Sequence, residues 1–233
     1  MRQLVTTTVV TAATGSQTAE GLATANPYDL SVLETVKNEL NIDDSNITND
    51  QWISRAITRG SIAFANFCNR TFPVQTLKDV IWLQADAYPY QVPGVVSPLQ
   101  LSSWPLTSVA SCSVNEGNGY ILNLTAGTDY IVDNNNGQLI RLNIWTNFPT
   151  NWDAAPTTVQ YSAGYATIPS DLEDALLRWV AGAFQARKRD PMLKEREQPG
   201  MGREVYWIPN AKETQFEPEI AEILNKYRVP TVQ

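Results

Sequence analysis

Ninety-nine consecutive residues, 71–169, carry only eight charged side chains: Lys78, Asp79, Asp86, Glu116, Asp129, Asp133, Arg141 and Asp153. A stretch so poor in charge gains little from solvent and must satisfy its backbone in a packed layer. Within it, short runs rich in β-branched and aromatic residues follow one another: QTLKDVIWL, TSVASCSV, GYILNL, DYIVD, GQLIRL and TTVQYS. Such runs, separated by turn-forming residues, are the pattern of short antiparallel strands. The connecting sequences include NEGNG, TAGT and DNNNG, and the last suits a hairpin with a positive-φ residue at Asn136 or Gly137. The stretch is expected to form a compact β module, a small sandwich or barrel, set between helical patterns.

On its N-terminal side, Ser31 and Glu34 have capping-box spacing, and Val32, Leu33, Val36 and Leu40 follow on one helical face. Thr48 and Gln51 repeat that spacing ahead of a longer helix running to about Asn69. Its apolar positions are Ile53, Ala56, Ile57, Gly60, Phe64 and Phe67. Residues 27–70 therefore read as a helical hairpin. Beyond the β module, Gly164 permits the chain to leave the last strand and Pro169 blocks an earlier helix. Ser170 and Glu173 form a third capping-box pair, and Asp171 and Asp174 place negative charge at the positive end of the helix dipole. Leu172, Leu176, Trp179, Val180, Ala183 and Phe184 make a buried stripe; Arg187, Lys188 and Arg189 suit the negative end, and Pro191 stops propagation.

The two termini read differently. Residues 1–26 are rich in Thr, Ala, Gly and Ser and read as a flexible arm or an added strand. Their threonine-rich centre and single arginine do not match a secretion signal. After Pro191, KEREQPGMGREVYWIPNAKETQF reads as an extended linker, and Glu217-Pro218 opens a last short helix. Ile220, Ile223, Leu224 and Tyr227 give that helix a narrow apolar stripe, which is expected to need another surface to cover it. The fold class expected is α+β. A helical bundle, the N-terminal hairpin plus a returning helix at 170–190, carries an inserted antiparallel β module at 71–169. An extended C-terminal tail at 191–233 ends in a short helix.

Composition excludes more chemistry than it suggests. With no histidine among 233 residues, Ser-His, Cys-His and His-metal schemes are ruled out. There is no Walker loop, Gly117–Gly119 belongs to a hairpin, and Asp43-Asp44 lacks EF-hand spacing. Cys68 and Cys112 are too few for a disulfide framework and fit a reducing cytoplasm, with Cys68 read as a small buried hydrophobe. No apolar run is long enough to span a membrane. No catalytic residue, metal site or cofactor is expected.

The net charge of −7 argues against a surface that neutralises phosphates. It is unevenly spread: residues 1–186 hold 8 basic and 16 acidic side chains, whereas 187–203 hold 6 basic and 3 acidic. Arg187, Lys188, Arg189, Arg196 and Arg203 in that second segment are candidates for a ring or partner interface. Four tryptophans, Trp82, Trp104, Trp145 and Trp152, lie in the β stretch. They support an alternative reading as a carbohydrate-binding β module, with core and interface packing as the simpler account.

The order of segments is LSVLETVKNELNI, ITNDQWISRAITRGSIAFANFCNRTF, SSWPLTSVASCSV, DYIVDNNNGQLIRL, TTVQYSAGYATIPSDLEDALLRWVAGAFQ and PEIAEILNKYR. From about Leu30 to Arg228 this order resembles the head–tail connector, or adaptor, proteins of tailed bacteriophages. The long Thr-rich N-terminal arm and the segment between Pro191 and Phe216 depart from that pattern. The resemblance implies a non-enzymatic homo-oligomeric ring, usually of twelve copies, in the virion neck, made in the host bacterial cytoplasm. Such a ring docks on the portal protein, receives stopper or tail proteins, and lets double-stranded DNA pass without specific binding. A stopper or tail-completion protein is the alternative within the neck. The resemblance also implies a portal contact through the C-terminal segment, here Pro218, Ile220, Ile223, Leu224, Tyr227 and Arg228.

Overall fold

The computed structural model describes residues 2–12, 18, 26–84, 97–187, 195–198, 202–205 and 216–229. The chain is α+β and divides into two compact units. One comprises residues 1–14 and 73–166, the other 15–72 and 167–233.

The first unit is a sandwich. Strands β1 (Arg2–Thr11), β2 (Gln75–Gln84), β4 (Leu106–Gly117), β5 (Tyr120–Leu124) and β8 (Thr157–Ala163) form one sheet in the order β1-β2-β8-β4-β5, antiparallel throughout. Strands β3 (Leu99–Gln100), β6 (Tyr130–Asp133) and β7 (Gln138–Arg141) form a second, in the order β3-β7-β6. The six runs read from sequence are β2, β4, β5, β6, β7 and β8. Buried and half-buried residues alternate without a break along β8, the central strand. Its Val159 and Tyr161 pack with Leu77, Ile81, Leu99, Tyr130, Leu139 and Trp152 in the core between the sheets. The period-two pattern thus does what it must when one sheet face is covered.

Of the two readings of the N-terminus, strand rather than arm describes residues 2–11. Every residue from Arg2 to Val9 pairs with β2, and the Gln3 side chain exchanges hydrogen bonds with the backbone of Gln100 in β3. The expected turn is also present. Gly137 has φ +65°, and a Cβ there would stand 2.9 Å from Cβ of Trp104, so both conformation and space require glycine.

A carboxylate lies fully buried in this unit. The Asp79 carboxylate accepts hydrogen bonds from Tyr161 Oη at 2.8 Å, the Ser102 backbone N–H at 2.9 Å and Ser102 Oγ at 3.0 Å. Three donors compensate the lost hydration of the buried carboxylate and fasten the segment after β3 to the sheet. Burial, reinforced by the Asp79 charge, pushes the Tyr161 phenol well above its ordinary pKa.

The second unit contains α1 (Leu33–Glu39), α2 (Asp50–Cys68), α3 (Ser170–Ala186) and α4 (Pro218–Tyr227). Between α3 and α4, β9 (Glu195–Gln198) and β10 (Gly202–Val205) form an antiparallel hairpin where a linker was expected. The three helix starts read as capping boxes lie within two residues of the expected positions, but the capping bonds are absent. The N-cap residues are Val32, Asn49 and Pro169, none with a side-chain cap. Ser31 Oγ instead donates to the buried Glu173 carboxylate at 2.8 Å, so one residue from each of two expected boxes meets across the unit. Tertiary demand for a satisfied buried carboxylate overrides the local motif.

The buried faces match the periodicity. Ile53, Ala56, Ile57, Gly60 and Phe64 of α2, and Leu172, Leu176 and Val180 of α3, are buried. At Gly60 the two helices pack tightly: a Cβ there would lie 2.4 Å from Leu176 Cδ1 and 2.9 Å from Trp179 Cε3. Lys37, buried near the end of α1, pairs with Asp50 at 2.7 Å and donates to the Asp44 carbonyl at 3.1 Å. The loop before α2 is thereby tied down.

Candidate assembly surfaces

The terminal helix α4 meets the rest of its own unit. Its proline at the first helical position is pre-set for φ and forfeits a backbone N–H that the first turn leaves unpaired in any case. Ahead of it, buried Phe216 packs edge-on against Phe64 at 5.2 Å and Phe67 at 5.4 Å. Ile220, Ala221 and Leu224 are buried, and α4 contacts both α2 and α3. Tyr227 Oη donates to Asp171 at 2.5 Å, and its ring lies 6.1 Å from that of Phe72. Past the helix, the Val229 N–H donates to the Cys68 carbonyl at 2.9 Å, and Asn69 Nδ2 to the Val229 carbonyl at 3.3 Å.

The surface that the stripe was expected to need is thus found within its own unit. Helices α2 and α3 supply the surface on which this ten-residue helix docks. Of the six candidate contact residues, Ile220 and Leu224 are buried, Ile223 and Tyr227 half-buried, and Pro218 and Arg228 exposed. Arg228 sets its guanidinium 5.3 Å from the Phe67 ring centre. The outward face of α4 consists of Glu219, Glu222, Asn225 and Lys226.

The basic candidates do not gather into one described patch. Arg187 lies over the Trp52 ring at 4.7 Å and donates to Asn49 Oδ1 at 2.9 Å, closing the end of α3 onto the start of α2. Lys188 and Arg189 lie outside the described residues. Arg196 and Arg203 fall on β9 and β10, where the register sets them opposite Glu204 and Glu197. Each basic position of the hairpin thus faces an acidic one across the ladder. The alternating charge of EREQ and GREV was the available sign of this pairing.

Sequence reasoning did not single out an apolar tip on the β module. Between β7 and β8, Ile144, Trp145 and Phe148 are 61%, 87% and 71% exposed. Their loop is built rather than loose: Asn143 Oδ1 accepts from the N–H groups of Trp145 and Thr146, and the Asn143 N–H donates to the Phe148 carbonyl at 2.9 Å. A hydrogen-bonded loop thus presents three large apolar side chains to water.

The four tryptophans of the β stretch differ in exposure. Trp152 is a core residue whose Nε1 donates to the Leu139 carbonyl at 3.1 Å, Trp104 is half-buried, and Trp82 and Trp145 are exposed. Both thiols are buried, and burial pushes Cys68 up to about 11 and Cys112 up to about 12, away from the low-pKa setting of a reactive cysteine. Asp43, fully exposed, accepts from the hydroxyl and N–H of Ser45, which lower its pKa. That is turn chemistry. Among the described residues, no three His, Cys, Asp or Glu side chains gather as a metal ion would require. No helix there is long and apolar enough to cross a membrane.

No protein-family model and no curated protein matches the chain. Solved structures do. A chain in the neck of an empty gene transfer agent (GTA) particle, computed with C6 symmetry, aligns with a TM-score of 0.51 and 15% identity over 98% of this chain and 97% of that one. A chain in the virion of a native GTA particle aligns at 0.50 and 13%, over 97% of each. The fold of this protein, end to end, is therefore one found in the neck of such particles.

Proposed function

We propose that this protein is a structural head-to-tail adaptor of a tailed phage or phage-like particle. It forms a homo-oligomeric ring under the portal and joins it to the stopper or tail around a DNA channel. The observation that carries this reading is the end-to-end alignment with a chain of a particle neck, over 98% and 97% of the two chains. A non-catalytic role agrees with the absence of histidine and with two cysteines held as buried thiols.

In this reading the four helices form a bundle, and its work is cohesion. Function resides in surfaces: the outward face of α4, the Ile144–Trp145–Phe148 tip, and the edges of the larger sheet. If α4 meets the portal while docked, it does so through Glu222, Asn225, Lys226 and Arg228 with Ile223 at the margin, because Ile220 and Leu224 are occupied. The acidic excess of residues 1–186 suits a channel wall, since negative charge repels passing phosphates and lets the duplex slide.

The test that separates adaptor from stopper is order of assembly. A chain-terminating mutation in this gene should leave DNA-packaged heads without tails. Purified protein should then bind those heads, and bind isolated portal rings with no other neck protein present. Binding only after another neck protein has docked would assign it to the stopper or tail-completion position instead.

A further inference from the structure

The five-stranded sheet has two open edges, and neither is guarded by an inward charge or a proline; β1 has a bulge only near its end, between Val9 and Thr11. Among the described residues, no strand lies beyond β1 on one side or beyond β5 on the other. After Arg2, β1 reads QLVTTTVVT, nine residues with no charge and no proline; β5 reads YILNL, also uncharged. Apolar side chains are exposed along both: Leu4, Val9 and Val10 on β1, Tyr120 and Ile121 on β5. Edge strands that must stay single are normally short, charged or interrupted. The other edges of this protein follow that rule. β3 has two residues, β6 has four and ends in Asp133, and the hairpin β9–β10 has charged residues on both strands.

We infer that β1 of one copy pairs with β5 of the next, so that the sheet continues from subunit to subunit around the ring. This rests on the ring proposed above and specifies its seam. An open edge calls for a strand, because no described strand meets its outward N–H and C=O groups. The strand direction says whose strand fits. Five strands, all antiparallel, leave β1 and β5 pointing the same way. Copies related by the small rotation of a many-membered ring keep nearly the same strand direction, so β5 meets the neighbouring β1 in parallel. Each copy then uses one edge of each kind, a head-to-tail contact that repeats until the ring closes. Pairing of β1 with another β1 would instead close a two-fold dimer and leave β5 open.

The register supplies the test. One row crosses the outer face of the sheet through Thr6, Val80, Thr158, Ser113 and Asn123. Extended across the seam, it sets Asn123 of one copy beside Thr6 or, with a two-residue offset, Thr8 of the next. Thr6, Thr8 and Asn123 are exposed, so cysteines there should leave the fold intact, as melting curves will verify. The native Cys68 and Cys112 are buried and contribute no background.

Full-length Thr6→Cys/Asn123→Cys and Thr8→Cys/Asn123→Cys proteins, assembled on portal rings, are treated with a short bis-maleimide and run under denaturing conditions. The seam predicts a ladder of dimer, trimer and higher bands from at least one double variant, and loss of every band above monomer in the single variants. Dimers from Thr6→Cys or Thr8→Cys alone would overturn it in favour of two-fold edge pairing. Rings visible by native mass spectrometry but uncrosslinked in both double variants would overturn the seam and leave the ring standing. Failure to find any oligomer on or off the portal would remove the ring and the seam with it.

Discussion

Replacing Leu224 with alanine tests whether α4 is truly part of its own unit. Leu224 is fully buried, on the face that contacts α2 and α3, and the Cys68 thiol reaches its carbonyl at 3.4 Å. Truncating a buried leucine removes transfer free energy and leaves a cavity, for a loss of about 2–5 kcal/mol. A terminal helix relaxes more easily than a central one, so about 3 kcal/mol is the expected value here. A ten-residue helix has little stability of its own, so that loss falls on docking. At about 1.4 kcal/mol per factor of ten, the amides of α4 should exchange with deuterium about a hundredfold faster in Leu224→Ala. The β module, a separate unit, should be unchanged. Hydrogen exchange read by mass spectrometry on the isolated chain resolves both. If the wild-type α4 amides exchange at free-peptide rates, or if the variant exchanges like wild type, the intramolecular docking argument is wrong. The helix would then be free to fold on a partner.

Gly60→Ala sets a helix-propensity gain of about 1 kcal/mol against overpacking of about 1–3 kcal/mol. The Trp179 ring cannot flex away from a new methyl, so a lower urea midpoint is expected. Tyr161→Phe leaves the buried Asp79 carboxylate with one donor fewer and should cost about 1–2 kcal/mol in urea unfolding of the β module. Cys68 and Cys112 titrate higher folded than the ordinary thiol value of 9.0, so the unfolded chain loses its protons first as pH rises. The stability linked to them is complete below pH 9 and is lost as pH climbs through about 11 and about 12. Urea midpoints measured from pH 8 upward should fall, and fall less steeply in Cys68→Ala/Cys112→Ala. Neither native thiol should react with a disulfide reagent at pH 8 until denaturant is added.

The strands were readable because alternation reports a covered face directly, as β8 shows with its unbroken period. The helices were readable from the spacing of Ile53 through Phe64 and of Leu172 through Val180. Strand β1 left two readings open because nearly all its residues from Thr6 onward are exposed on both faces, and an edge strand with no covered side has no apolar rhythm. The capping boxes misled because Ser31 and Glu173 serve a contact 142 positions apart, which no local motif encodes. The same blindness hid the docking of α4: its stripe was visible, but the matching area on α2 and α3 belongs to faces read only as packing on one another. Hairpin β9–β10 was hidden by its polarity, since a linker and a hairpin of charged residues share a composition. The tip at Trp145 could have been suspected from three large apolar residues within five positions of a charge-poor loop.

Strand β8 is flanked on one side by β2 and on the other by β4, so the sheet has no continuity until residues 157–163 are in place. The helical unit waits as well, because α3 and α4 follow β8 along the chain. A ribosome therefore makes 163 of the 233 residues before the β half can close, and nearly all of them before α4 can join the helical half. Until then the two partial ladders, β1–β2 and β4–β5, each have one flank that β8 alone is meant to fill. Shortening the gene product ahead of Thr157 should consequently yield insoluble material and not a smaller working module.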